Sequence, residues 1–120
     1  MSVAFSPNGK RLAAATNNKV HIWGLMSDQD PLTMEGKNIG SVWSVAFSPD
    51  GRHVAAGCSN KTVKVWDSMS GQETRTLTGH SARIESVAFS PDGKRLASAS
   101  YDKTVKIRDI TPRPEGDKAI

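Results

Sequence analysis

The segment SVAFSPDGKRLASA at residues 86–99 determines how the rest of the chain is interpreted, because it has two near-copies. They read SVAFSPDGRHVAAG at residues 44–57 and SVAFSPNGKRLAAA at residues 2–15, so the period is 42 residues. A second repeated block, KVHIW, TVKVW or TVKIR, follows each copy at nearly the same distance. Self-similarity with a period of about 20–50 residues is typical of proteins built from stacked structural repeats.

Each unit contains short strands that are separated by turns. The apolar run at 87–89 leads into Pro-Asp-Gly at 91–93, where proline presets φ and glycine tolerates positive φ, so the chain reverses. We predict a return strand over 96–100 and a third strand with alternating apolar and charged residues around Ile107. The middle unit adds a fourth strand over 73–77. Since no segment has a convincing apolar period of about 3.6 residues, we predict an all-β chain.

Four short strands in about 40 residues resemble the blades of WD-repeat β-propellers, which are four-stranded antiparallel sheets. The residues that carry the resemblance are Trp66-Asp67, Gly79-His80 and the three Phe-Ser-Pro-(Asp/Asn)-Gly hairpins. The resemblance implies a first blade with an incomplete first strand, a complete second blade and a third blade that lacks its outer strand. We place these blades at residues 1–35, 36–78 and 79–110, and we predict a flexible tail at 111–120.

About three blades are too few to close a ring, because propellers of this kind have about four to eight. Blades bury their faces against neighbouring blades. At about 25 cal/mol per Å² of apolar surface, each uncovered flank would cost about as much as the stability of a whole domain. We therefore expect either an open fragment, whose remaining blades belong to a longer chain, or a subunit completed by a self-associating copy.

Composition and charge argue against several classes of function. With 37% apolar and 23% charged residues the chain is typical of soluble globular proteins. The sequence contains no apolar run of about 20 residues and no secretory leader. We therefore predict an intracellular, cytoplasmic protein with no membrane partner. The histidines and the single cysteine, Cys58, lack metal-ligand spacing, so we predict no metal and no cofactor. The net charge of +4 is spread along the chain, which argues against a nucleic-acid partner.

His80, Ser98 and Asp102 could be mistaken for the catalytic triad of a hydrolase, but no GxSxG motif surrounds Ser98. By the family resemblance they fall on three positions of a structural hydrogen-bond network, and the fourth position, where tryptophan is expected, holds Arg108. In the first two blades the same network retains only its tryptophans, Trp23 and Trp66. We therefore predict a structural role for these residues and no catalytic residues.

The resemblance places a second set of residues at the upper rim of the propeller, where members of the family often contact partners. Aromatic and arginine side chains suit such a surface, because they bury a large area at a low cost in rotamer entropy. The alternative for Trp43 is a tryptophan that packs locally beneath a loop. The protein-binding candidates are Ser41, Trp43, Ser59, Arg83, Glu85 and Tyr101.

These observations predict a non-catalytic scaffold or adaptor with protein partners, because stiff sheets hold variable loops in a fixed relation. One alternative is a sensor or regulatory segment of a larger signalling protein with an NTPase module, since the regular units are similar to the propeller arrays of such proteins. The chain contains no phosphate-binding GxxxxGK(S/T) motif, so that catalysis would reside outside it. A propeller associated with nucleic acid is a third and weaker alternative.

Overall fold

The computed structural model describes residues 2–26, 30–35 and 40–110, and every regular element within them is a β-strand. Sheet 1 contains β1 (Val3–Phe5), β2 (Arg11–Ala15), β3 (Lys19–Gly24) and β4 (Leu32–Glu35). Sheet 2 contains β5 (Val42–Phe47), β6 (His53–Cys58), β7 (Val63–Asp67) and β8 (Glu73–Leu77). Sheet 3 contains β9 (Ile84–Phe89), β10 (Arg95–Ser100) and β11 (Val105–Asp109). All pairings are antiparallel, so the predicted all-β fold is confirmed.

The turn between the first two strands of each sheet has the same internal hydrogen bonds. In sheet 3 the hydroxyl of Ser90 donates to Asp92 Oδ1 at 2.6 Å, and the N–H of Gly93 donates to the Ser90 carbonyl at 2.9 Å. Gly93 has a φ of 73°, a backbone conformation that residues with a Cβ rarely adopt. Because the turn satisfies its own polar groups, β10 returns in register, with Leu96 opposite Phe89.

The sheets pack in chain order, with sheet 2 between the other two, and among the described residues they do not close into a ring. One buried cluster, which includes Met34, Val45 and Trp66, joins sheets 1 and 2. A second, which includes Val65 and Ile84, joins sheets 2 and 3. The core is therefore a series of sheet-to-sheet contacts, and each sheet depends on its neighbours for burial.

One hydrogen bond recurs where the inner strands of successive sheets meet. The backbone N–H of Val45 donates to Ser2 Oγ at 3.2 Å, and the N–H of Val87 donates to Ser44 Oγ at 3.2 Å. Ser2 and Ser44 hold the same place in successive units, as do Val45 and Val87. The junction of sheets 1 and 2 and the junction of sheets 2 and 3 therefore contain the same hydrogen bond.

The predicted blade boundaries stay predictions. The boundary after residue 78 lies between β8 and β9, whereas the boundary between residues 35 and 36 and the tail at 111–120 involve residues outside the described ones. Within residues 2–26, 30–35 and 40–110, no helix is long and apolar enough to cross a membrane.

Gly57 on β6 lets sheets 2 and 3 approach closely. A Cβ added at Gly57 would lie 2.6 Å from Ile84 Cγ2 and 3.0 Å from Ile84 Cβ. Ile84 is fully buried and branched at Cβ, so its side chain cannot rotate away. This position therefore excludes even the smallest side chain.

We expect Gly57→Ala to lower the free energy of unfolding by about 1–3 kcal/mol through overpacking, as measured by denaturant titration. The variant Ile84→Ala removes the obstructing methyl group, so Gly57→Ala should cost clearly less in that background. An equal cost in both backgrounds would contradict the steric explanation.

Candidate functional site

The start of sheet 3 brings together three residues that the sequence analysis singled out. His80 Nδ1 lies 2.9 Å from Asp102 Oδ2, and His80 Nε2 lies 2.8 Å from Ser98 Oγ. The order carboxylate, imidazole, hydroxyl is that of a hydrolase triad. However, both His80 and Ser98 are buried, and Ser98 lies within β10 on the face that packs toward sheet 2. A substrate could reach this hydroxyl only if the sheets separated.

Thr104 completes this network, and the sequence analysis missed it. Its hydroxyl donates to Asp102 Oδ1 at 2.5 Å and lies 3.2 Å from His80 Nδ1. The second unit contains the same turn, because the hydroxyl of Thr62 donates to Asn60 Oδ1 at 2.5 Å. A comparison of the repeated triplets Asn-Lys-Thr and Asp-Lys-Thr would have found it.

Hydrogen bonds keep the carboxylate of Asp102 charged. The hydroxyl of Thr104 makes the largest contribution, and the backbone N–H of Ser81, 3.0 Å from Asp102 Oδ2, and the ring of His80 add to it. Partial burial acts in the opposite direction. The net effect is a pKa of Asp102 far below its usual value.

Arg108 occupies the place in sheet 3 where tryptophan was expected. Its Nη2 donates to the carbonyl of Thr78, just before Gly79 and His80. Gly79 has a φ of 119°, and a Cβ there would lie 2.5 Å from Arg108 Nη2. The arginine thus links β11 to the segment that carries His80.

Trp23 and Trp66, which the sequence analysis assigns to the equivalent network positions of the first two blades, lie in sheets 1 and 2. Trp66 lies on β7 and is buried between sheets 1 and 2. Trp23 lies on β3, and its ring is 5.6 Å from that of His21, between centroids. Each tryptophan packs within the surroundings of its own sheet.

A second group of predicted residues lies where β5 and β9 begin. The guanidinium of Arg83 lies 4.7 Å from the centroid of the Trp43 ring and 4.5 Å from that of the Tyr101 ring. Arg83 Nη2 is 3.5 Å from Glu85 Oε2. Both rings are exposed on their other sides. We call Trp43, Arg83, Glu85 and Tyr101 the rim patch; it joins sheets 2 and 3.

Ser41 and Ser59 support the rim patch from sheet 2. The backbone N–H of Ser41 donates to Ser59 Oγ at 2.8 Å, and the N–H of Ser59 donates to the Ser41 carbonyl at 2.9 Å. These bonds fix the chain just before β5, which carries Trp43. The two serines therefore position the aromatic ring, and all six predicted binding candidates lie at the same edge of the molecule.

Cys58 at the end of β6 is a buried free thiol. Burial raises the pKa of Cys58 to about 11, so it carries no charge at neutral pH. A neutral, inaccessible thiol is a poor nucleophile and a poor metal ligand. Across the part of the chain that the structure describes, no three His, Cys, Asp or Glu side chains gather as a metal site would require.

Three antiparallel sheets of similar strands, repeated along the chain and packed in order, define a repeat protein made of propeller blades. The family model of the WD domain, G-beta repeat, matches residues 1–24, 31–67 and 71–109. The chain therefore belongs to the WD-repeat family. Repeats of this family generally mediate protein–protein interactions and are typically non-catalytic. No curated protein matches the chain.

We expect Ser98→Ala to lower the free energy of unfolding by about 1–2 kcal/mol, because it leaves a buried imidazole nitrogen without its partner. Thermal or denaturant unfolding measures this loss. In a parallel assay with an activated ester, wild type and variant should hydrolyse the substrate at the same background rate. A turnover that Ser98→Ala abolishes would contradict the structural role.

The lowered pKa of Asp102 predicts a loss of stability in acid. The unfolded chain protonates this carboxyl near its ordinary pKa of about 3.9, whereas the folded chain keeps it charged to a lower pH. Its contribution is therefore complete above that value and falls as the pH drops through the folded pKa. We expect Asp102→Asn to be less stable than wild type at pH 7, with the difference shrinking below about pH 4. A difference independent of pH, in urea titrations, would contradict this.

Proposed function

We propose that this chain is a non-catalytic scaffold that binds protein partners through the rim patch. The observation that carries the proposal is the position of the Arg83 guanidinium between the rings of Trp43 and Tyr101. Arginine and aromatic residues dominate the binding energy of many protein interfaces. Here they occur together, partly exposed, on one edge of the molecule.

The rim patch is held in place before any partner arrives. The N–H of Tyr101 donates to the carbonyl of Arg83 at 3.0 Å, and the hydroxyl of Ser100 donates to the same carbonyl at 3.0 Å. The stacking of Arg83 on two rings further restricts its side chain. A surface that is already ordered loses little conformational entropy on binding, which favours affinity.

The charges of the rim patch indicate the kind of contact that it favours. The Arg83 Nη2 to Glu85 Oε2 distance of 3.5 Å is long for a strong ion pair, and both side chains are partly exposed. Arg83 Nε is buried without a hydrogen-bond partner among the described residues. A partner segment that places a carboxylate near the guanidinium and an apolar side chain on the rings suits this arrangement.

The experiment is affinity capture from cells of the source organism with the whole chain, followed by calorimetry on each purified candidate partner. We expect Trp43→Ala and Arg83→Ala each to weaken binding by about tenfold or more. Arg52→Ala is the matched control, since Arg52 is an exposed arginine in the turn before β6 and should leave affinity unchanged. Partners that bind both patch variants as tightly as wild type, with unchanged circular dichroism, would contradict the proposal.

A further inference from the structure

Residues 2–26, 30–35 and 40–110 leave two sheet faces uncovered, and the repeat allows each to be compared with an equivalent face that is buried. Trp66 faces sheet 1 and is 1% exposed, whereas Trp23, at the same position of the first unit, is 36% exposed on the outer face of sheet 1. Val45 is 5% exposed and its equivalent, Val3, is 67% exposed. The outer face of sheet 1 therefore has the composition of a buried face without a neighbour.

The outer face of sheet 3 shows the same contrast on β11. Val20 and Ile22 of sheet 1 pack against sheet 2 and are 0% and 3% exposed. The identical residues at the equivalent positions of sheet 3, Val105 and Ile107, are both 65% exposed. Their cross-strand neighbours on this face are the alanines of β10. This face, too, is apolar and uncovered.

Together the two uncovered faces reproduce most of the contact between sheets 1 and 2. On the sheet 1 side, Arg11, Ala13, Ala15, Val20 and Ile22 have identical counterparts on the outer face of sheet 3, namely Arg95, Ala97, Ala99, Val105 and Ile107. Met34 of β4 has no counterpart, because sheet 3 has three described strands. On the sheet 2 side, Val45, Phe47, Val54, Ala56 and Trp66 correspond to Val3, Phe5, Leu12, Ala14 and Trp23 on the outer face of sheet 1. Two further members of that side differ: Cys58 corresponds to Thr16, and Val42 has no equivalent in sheet 1. The outer face of sheet 3 is therefore suited to pack against the outer face of sheet 1, and neither face is suited to pack against a second copy of itself.

We propose that two copies of this chain associate head to tail, with the outer face of sheet 3 of one copy packed on the outer face of sheet 1 of the other. A second copy is the occupant that supplies both halves of a contact already present in the molecule. Because the two faces differ, the interface is heterologous, and two such contacts would close the described sheets of the pair, three from each copy, into one ring. Six sheets lie within the range of about four to eight in closed propellers.

The polar contacts at the inner strands extend into the proposed interface. Ser2 Oγ accepts the N–H of Val45, and Ser44 Oγ accepts the N–H of Val87, at 3.2 Å in each case. The next serine of this series is Ser86 on β9. The N–H of Val3 in the second copy is in the equivalent place to donate to it.

One cation–π contact extends in the same way. The guanidinium of Arg11 on sheet 1 lies 5.9 Å from the centroid of the Phe47 ring on sheet 2. Arg95 is the equivalent of Arg11 and is exposed, and Phe5 is the equivalent of Phe47 and is also exposed. Head-to-tail packing places Arg95 of one copy over Phe5 of the other, where both would become covered.

The test measures the mass of the full 120-residue chain in solution by light scattering over a dilution series. We expect twice the mass of one chain, and we expect Phe5→Asp and Ile107→Asp each to weaken association by about thirtyfold or more. An equimolar mixture of these two variants should again form a dimer, because one copy retains an intact sheet 1 face and the other an intact sheet 3 face. Val3→Asp and Val105→Asp provide a second pair, should either first variant fail to fold.

Two further measurements separate this proposal from the rim patch. Association should reduce the quenching of tryptophan fluorescence by acrylamide, and Trp23→Phe should remove most of that change. Tyr101→Ser, which alters the rim patch, should leave the dimer intact. A monomer at all concentrations would mean that something other than a second copy covers these faces, and it would overturn the proposal. A dimer that persists with Phe5→Asp and Ile107→Asp in the same chain would overturn it as well.

Discussion

A β-sheet with apolar side chains on both faces needs a neighbour on each side, and this constraint governs the whole molecule. Strand β6 of the middle sheet is buried along nearly its full length, because sheets 1 and 3 cover both of its faces. Strand β10 has the equivalent place in sheet 3, but its residues alternate between buried and more exposed positions. The difference comes from the environment, since the two strands belong to the same repeated segment.

The buried hydrogen-bond network and the rim patch are parts of one local structure. Asp102 accepts a hydrogen bond from the N–H of Ser81, and Ser100 donates to the carbonyls of Ala82 and Arg83. The segment between His80 and β9 is thus attached to the turn that follows β10. This attachment holds Arg83 beside the rings of Trp43 and Tyr101. The network therefore fixes the backbone from which the guanidinium of Arg83 extends.

The strands were predictable from sequence because each depends on local chemistry. The fourth strand expected over 73–77 is β8, Glu73–Leu77, and the Pro-Asp-Gly turn at 91–93 reverses the chain as expected. The placement of Arg83 between two rings could not be derived in this way. It depends on the distance between sheets 2 and 3. Gly57 permits that distance because it has no side chain that would collide with Ile84. The family resemblance suggested the region, but not the stacking.

Thr104 shows a different limit, because its motif becomes visible only when two units are compared. Lys61 and Lys103 precede the two threonines and both adopt positive φ, 77° and 73°. Lysine has no intrinsic preference for positive φ, so no single residue of the triplet predicts this turn. The hydrogen bonds from threonine to Asn60 or Asp102 compensate for the unfavourable backbone. A prediction that considers each residue separately therefore misses the turn, because the turn depends on the threonine and the lysine together.

Within every sheet, each strand pairs only with strands adjacent to it along the chain. Among the described residues no strand pairs with a strand of another unit, so each ladder lies within one unit; a separate backbone hydrogen bond, from the N–H of Val42 to the carbonyl of Asn17 at 2.8 Å, joins the first unit to the second. Gene duplication or loss of a whole unit would therefore leave the surviving ladders untouched and would join faces that already match. An insertion of a few codons inside a strand has no such protection, because it shifts alternate side chains to the wrong side. Evolution of this architecture should consequently proceed in whole units.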